Sequence, residues 1–238
     1  MSLLDPVAWS ALAEQPVIEI GATVFAFVAA THLHRRSGGH PLLNPTLVAI
    51  LIVAVGLKLA GISYDTYLRG AGFIHFLLGP AVVLLAVPLF RQTALIRASG
   101  RLLAAALAVG LPAGVVSAVG IAWLLGARTE TLLSLAPKSV TTGIAIGISE
   151  KIGGIPALTA VLVIMTGIVG AVFGPMVTKI VGVQDPRAIG LAMGIASHGI
   201  GTARALQMSE VAGAFSGLGM GLNGVLTAVL VPLIFTLL

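Results

Sequence analysis

Residues 156–180 read PALTAVLVIMTGIVGAVFGPMVTKI, a run whose only charge, Lys179, stands beside its end. A helix needs about 20 mainly apolar residues to cross the hydrocarbon core of a bilayer, and this run supplies them. Similar runs lie near 16–34, 42–61, 72–90, 102–125 and 211–237, which predicts six spanning helices. The composition of the whole chain agrees. Of its 238 residues 58% are hydrophobic and 9% charged, and the mean hydropathy is +1.10. A soluble domain carries roughly a quarter charged residues, so this chain lacks the polar surface that water demands. Its 30 glycines and 5% aromatics suit helices packed closely through small side chains. A β-barrel would alternate in short strands between aromatic girdles, and neither pattern is present. The expected fold is all-α, a polytopic transmembrane helical bundle forming a single transmembrane domain over 1–238.

Two further apolar runs, 132–150 and 187–208, do not look lipid-facing. Both are rich in Gly, Ala, Ser and Thr, and they hold Lys138, His198 and Arg204 well inside. They are expected to be broken or re-entrant segments; if both span, the helix count is eight. On this reading 1–131 holds helices one to four, a scaffold and dimerisation part, and 132–238 holds the substrate site. Residues 1–15 lack the basic start of a signal peptide; Leu3, Leu4, Val7, Trp9 and Leu12 suit a short interfacial helix.

Basic residues set the orientation. Arg35 and Arg36 lie in the first loop, Arg91, Arg97 and Arg101 in the third, and the N-terminal tail carries only Asp5 and Glu14. The positive-inside tendency puts the N-terminus outside an inner (plasma) membrane. If 132–150 dips in and returns, Lys179 and Arg187 are cytoplasmic; if it spans, they lie outside.

An offset of sixty residues relates Thr142 to Thr202, Ala145 to Ala205, Ser149 to Ser209, Glu150 to Glu210 and Gly153 to Gly213. Either a low-alphabet sequence matches itself by chance, or a broken polar segment plus a spanning helix occurs twice. With one crossing per unit the copies are inverted, the usual scaffold of secondary transporters with the substrate near the midplane.

Pro137-Lys138-Ser139-Val140-Thr141-Thr142 suits a helix start, because Pro is favoured in a first turn and free backbone N–H groups there attract anions. Lys138 adds a full charge, unless it snorkels to headgroups from an ordinary cap. In Ser197-His198-Gly199-Ile200-Gly201-Thr202-Ala203-Arg204 the glycines let the backbone unwind. Arg204 either holds a carboxylate by two parallel hydrogen bonds or closes a salt bridge with Glu210 or Glu150. His198 either takes part in proton coupling or bonds a buried carbonyl. Glu150 is a second coupling candidate, unless it sits at the interface beside Lys151. Asn223, mid-way along the last run, either lines the path or bonds across helices. The candidate substrate-binding set is therefore Lys138, Ser139, Thr141, Thr142, His198, Thr202, Arg204 and Asn223.

No phosphate loop ending in Lys-Ser or Lys-Thr, no metal-ligand spacing and no Gly-x-Ser-x-Gly elbow occurs. With no cysteine, the expectation is a non-enzymatic protein without cofactor, metal or nucleic-acid partner.

The runs 76–81 (FLLGPA), 87–89 (VPL), 135–142 (LAPKSVTT), 149–156 (SEKIGGIP) and 197–204 (SHGIGTAR) resemble the LrgB/CidB membrane protein family. The likeness extends from about residue 18 to the C-terminus. Gly143 stands where many members have Pro, and Gly147 where many have an acidic or larger polar residue. The resemblance implies two functions. One is an antiholin-like regulator of murein hydrolase export and cell lysis, working with a small LrgA/CidA-type membrane partner. The other is a carrier of small monocarboxylates such as pyruvate, glycolate or glycerate. A lytic pore has no need of cations at paired helix breaks, whereas a carboxylate carrier does. The sequence reading is an elevator-like, proton-coupled carrier and homodimer.

Overall fold

A computed structural model describes residues 16–38 and 43–237. The interfacial helix expected within 1–15 lies outside the described residues. Among those described the regular structure is helical, with no strand. The chain forms two compact units, one ending at Leu84 and the other beginning at Leu85.

The first unit holds α1 (Pro16–Arg36), α2 (Pro45–Ala60), α3 (Tyr64–Gly70) and α4 (Gly72–Leu84). Asn44 caps α2: its side-chain oxygen accepts from the Thr46 and Leu47 amides at 3.0 and 3.3 Å, and Pro45 takes the first helical position. These are the features that start a helix. Gly61 ends it at φ 68°, a left-handed conformation that suits glycine. The chain then turns through 118° into α3. The Thr23 and Tyr67 hydroxyls, 2.8 Å apart, tie α1 to α3.

The second unit begins with the short α5 (Ala86–Arg91) and α6 (Thr93–Ala98), followed by α7 (Gly100–Leu124) and α8 (Thr129–Leu135). Then come α9 (Thr142–Ile152), α10 (Pro156–Ile180), α11 (Pro186–Met208) and α12 (Glu210–Leu237). Among the described residues four helices, α1, α7, α10 and α12, are long and apolar enough to cross a membrane, and α2 with α3 makes a fifth if the bent pair is one span. The expected count of six is corrected in two places. The run 42–61 yields a helix of 16 residues, which qualifies only together with its bent neighbour. The run 72–90 is divided, because α4 stops at Leu84 and α5 restarts at Ala86. Pro80 and Pro88 lie inside those pieces, and each removes a backbone donor that a continuous helix would use.

Neither odd run crosses straight through the second unit. After α8 the chain turns over 136–141 and returns along α9. The return brings Ser149 back to Ser134: the Thr159 hydroxyl is 2.7 Å from Ser149 Oγ and 3.2 Å from the Ser134 carbonyl. The Ile155 amide donates to Ser134 Oγ at 2.8 Å. This hydroxyl cluster is fully buried and closes the base of the hairpin, satisfying polar groups that lipid would leave unpaired.

The second run doubles back more tightly. α11 is broken at His198, whose φ of 42° and ψ of −133° are not helical. Gly194 packs against the Ser216 carbonyl, and Thr202, on the returning arm, has its hydroxyl 2.9 Å from that of the same Ser216. The two arms therefore pass α12 at one level. A Cβ on Gly190 or Gly194 would strike the Ala212 or Ser216 carbonyl, so glycine permits the close packing that replaces hydrophobic drive inside a bilayer. Arg187, at the start of α11, donates to Ser99, just before α7, at 3.3 Å. The second hairpin thus opens beside the start of α7. The first opens beside the other end of α7, where α8 follows.

Candidate functional site

The tips of the two hairpins meet on Asn223, near the middle of α12. Its Nδ2 donates to the Ser139 carbonyl in the 136–141 turn at 3.2 Å and to the Ile195 carbonyl of α11 at 3.1 Å. Asn223 is 2% exposed. The remaining side-chain oxygen is buried and unpartnered. Two carbonyls facing one amide group oblige the NH₂ to point at them. Asn223 therefore both bonds across helices and lines the cavity at this point.

That cavity measures about 540 Å³ and lies between α7, α11 and α12. Lys138, Ser139, Asn223 and Thr227 line its inner end. Lys138 Nζ is 3.4 Å from Ser139 Oγ, and Ser139 Oγ approaches Gly114 near the middle of α7. Ser99, Asp185 and Arg187 line its mouth. Between the ends the walls are apolar, with Leu103, Leu191, Ile195 and Phe215 forming one packed cluster. The charges on the lining are Lys138 (+1), Arg187 (+1) and Asp185 (−1), a net of +1. At the mouth Arg187 Nε lies 3.0 Å from both Asp185 oxygens, and Nη2 is 2.6 Å from Oδ2. These hydrogen bonds, joined by one from the Arg187 amide, hold the Asp185 carboxyl below the usual carboxylate range.

Of the residues the sequence singles out, Lys138, Ser139 and Asn223 come together on the cavity. The others do not line it. Thr141 and Thr142 are half-buried where α9 begins, and Thr141 makes no side-chain cap. Thr202 is buried, donating to the His198 carbonyl at 2.8 Å. His198 Nε2 lies 3.0 Å from the Val163 carbonyl of α10, and its ring fills the space over Gly167, where a Cβ would collide with it. Of its two sequence readings, the bond to a buried carbonyl is the one seen. Arg204 is half-buried, and its guanidinium donates to Gln207 at 3.2 Å in an exposed hydrogen bond. It pairs with neither Glu150 nor Glu210, because the outer face of the returning arm carries it away from both the cavity and those carboxylates. Glu150 is exposed beside Lys151, and Glu210 lies 3.6 Å from Arg91 in a surface pair that is worth little.

The sequence reading missed the mouth. Asp185-Pro186-Arg187 carries the signal of a capped helix start, and the Asp185 side chain does accept from the Arg187 amide at 2.9 Å. Nothing in the sequence places Ser99 across from it.

Residues 23–237 match the LrgB-like family. The chain belongs to this family. It is 36% identical over 218 residues to the uncharacterised protein YxaC of Bacillus subtilis, covering 92% of this chain and 94% of that one. It is 34% identical to an uncharacterised protein of Haemophilus influenzae over 216 residues, 91% of this chain and 93% of that one. The holin-like protein CidB of Staphylococcus aureus is 32% identical over 223 residues, 94% of this chain and 97% of the relative. No solved structure matches. Family and apolar helices together identify a multi-pass membrane protein.

Proposed function

We propose that this LrgB-family member is a secondary carrier of small monocarboxylates, with Lys138 and Ser139 holding the carboxylate. The observation that carries the reading is a single uncompensated cation, Lys138, at the inner end of an apolar-walled cavity where two hairpin tips meet. A net lining charge of +1 suits a monoanion. The hairpins give each half of 129–237 one form, hairpin then spanning helix, and they open at opposite ends of α7. That supports an inverted repeat, the common scaffold of secondary transporters. Arg91, Arg97, Arg101, Lys179 and Arg187 gather at the mouth end, and the positive-inside tendency favours a cytoplasmic mouth in an inner membrane; Arg35 and Arg36, at the end of α1, separately favour an N-terminus outside. Elevator-like transport requires both tips to travel together, and Asn223 is the pin that joins them. Of the coupling candidates, His198 is the buried one.

A second reading rests on the relatives' names: a holin-like or antiholin-like protein that regulates lysis with a CidA-type partner. Proteoliposome uptake of labelled pyruvate, glycolate or glycerate decides between them. Uptake is expected, with Lys138→Gln lowering it about 10- to 100-fold, the worth of a charge-assisted hydrogen bond. Release of an entrapped dye without uptake of any acid overturns the carrier and favours the lytic reading.

A further inference from the structure

We propose that the open edge of the groove between α7 and α11 is a site for one anionic phospholipid, its phosphate on the arginines around Ser99 and an acyl chain along the groove. The cavity is walled on one side only. Leu103, Leu191, Ile195 and Phe215 are buried in its floor, whereas Leu102, Ala192 and Ala196, which line the same space, are exposed. Inside a bilayer such an edge is closed by packing rather than by water. At the mouth the chemistry changes. α6 turns Leu95 and Ile96 onto the buried cluster, and Arg97, the next residue, is exposed. Ser99 has Arg97 two residues before it and Arg101 two residues after it, and Arg187 donates to its hydroxyl at 3.3 Å. Asp185 engages Arg187, and Glu210 pairs with Arg91. Arg97 and Arg101 enter no ion pair among the described residues. Two uncompensated cations at the head of an apolar groove complement an anionic headgroup.

The dimensions fit a lipid. Ser99 precedes the start of α7, and Gly114 on the same helix meets Ser139. At 1.5 Å per residue the groove is on the order of 20 Å long. The hydrocarbon core of a bilayer is about 30 Å thick, so a chain reaching from its headgroup to the midplane covers about 15 Å. With its phosphate level with Ser99 the chain ends short of Lys138 and Ser139, and the cation at the inner end stays uncovered. A free phosphate or a soluble organic anion would meet the arginines but has nothing to lay against Leu102, Ala192 and Ala196. The lipid supplies the outer wall that the protein leaves open. This site stands apart from the carrier reading and is compatible with either function.

The test uses the full-length protein in phosphatidylcholine liposomes doped with phosphatidylglycerol that carries a photoactivatable diazirine in mid-chain. A phosphatidylcholine with the same chain is the control, and adducts are mapped by peptide mass spectrometry. The phosphatidylglycerol is expected to label Leu102 and the 192–196 stretch. Each basic residue beside an anionic headgroup is worth a factor of about five, so two should give it about 25-fold selectivity over the control. Arg97→Gln with Arg101→Gln should remove that selectivity, whereas Arg97→Lys with Arg101→Lys, which keeps both charges, should retain most of it. Ala192→Phe, which fills the groove from an exposed position on α11, should clear the label from the groove and leaves the arginines in place. Equal labelling by the two lipids, or adducts spread evenly over the apolar faces of α1, α10 and α12, overturns the site. Selectivity that survives the loss of both arginines overturns it as well. So does a groove left unlabelled while other faces react, which would mean that a second copy or another helix covers this edge.

Discussion

Replacing Asn223 by Leu is expected to separate the two hairpin tips without opening a void. The side chains are similar in size, but Leu donates nothing to the Ser139 and Ile195 carbonyls, which Asn223 now reaches at 3.2 and 3.1 Å. Leaving a buried acceptor unsatisfied costs about 1–3 kcal/mol, so two acceptors cost about 2–6 kcal/mol. The unpartnered Asn223 oxygen is removed as well, and its relief moves the net toward the lower end. For a chain of this size 1 kcal/mol shifts Tm by roughly 2–4 °C, which predicts a fall on the order of 5–15 °C. The assay is a far-UV circular-dichroism melt in detergent, paired with uptake into proteoliposomes.

The comparison that isolates the mechanism is Asn223→Gln, which keeps the donor but moves it by one methylene. If the bridge between the tips is what matters, Gln recovers part of the lost stability or uptake, and Leu recovers none. A Leu variant that melts with wild type and transports normally would refute the idea that Asn223 joins the tips. In that case the amide serves neither packing nor passage.

Arg204→Ala is expected to leave uptake within about twofold, because the guanidinium is exposed and bonded only to Gln207; a loss of tenfold or more would bring Arg204 back into the site. Asp185→Asn should destabilise the protein at neutral pH. Since Arg187 depresses the Asp185 pKa in the folded state, the pair's contribution is present above the unfolded value of about 3.9 and is lost as pH falls through the lower folded value. Melts of the two proteins should therefore differ at pH 7 and converge in acid, and a gap that widens in acid contradicts the pairing. Because the chain has no cysteine, Ala188→Cys gives a single reporter at the mouth. A membrane-impermeant maleimide should label it from the cytoplasmic face only, and labelling from outside reverses the topology.

The membrane character of the chain was legible because it is a bulk property: a span such as 156–180 declares itself through length and apolarity alone. The regions of the breaks were legible too, from Pro137 and the Gly199–Gly201 pair, although both glycines are helical and the second break itself falls on His198. Side-chain direction was not. Lys138 and Arg204 look equivalent in sequence, each a cation inside a Gly/Ser/Thr run, and the sixty-residue offset encourages reading them as partners. Yet Lys138 lies in the turn of its hairpin, where every neighbouring element converges. Arg204 lies a turn and a half beyond His198 on a returning arm whose inner face is already filled by Thr202 and Ala205. Which face of a short arm points inward depends on where the chain reverses, and that reversal falls on His198 at a φ of 42°, a region uncommon for any residue but glycine. What holds it there is a carbonyl on another helix, Val163, and the absence of a side chain at Gly167. The sequence could name the residues able to bind an anion; sorting those that face the cavity from those that do not required contacts between residues far apart in the chain.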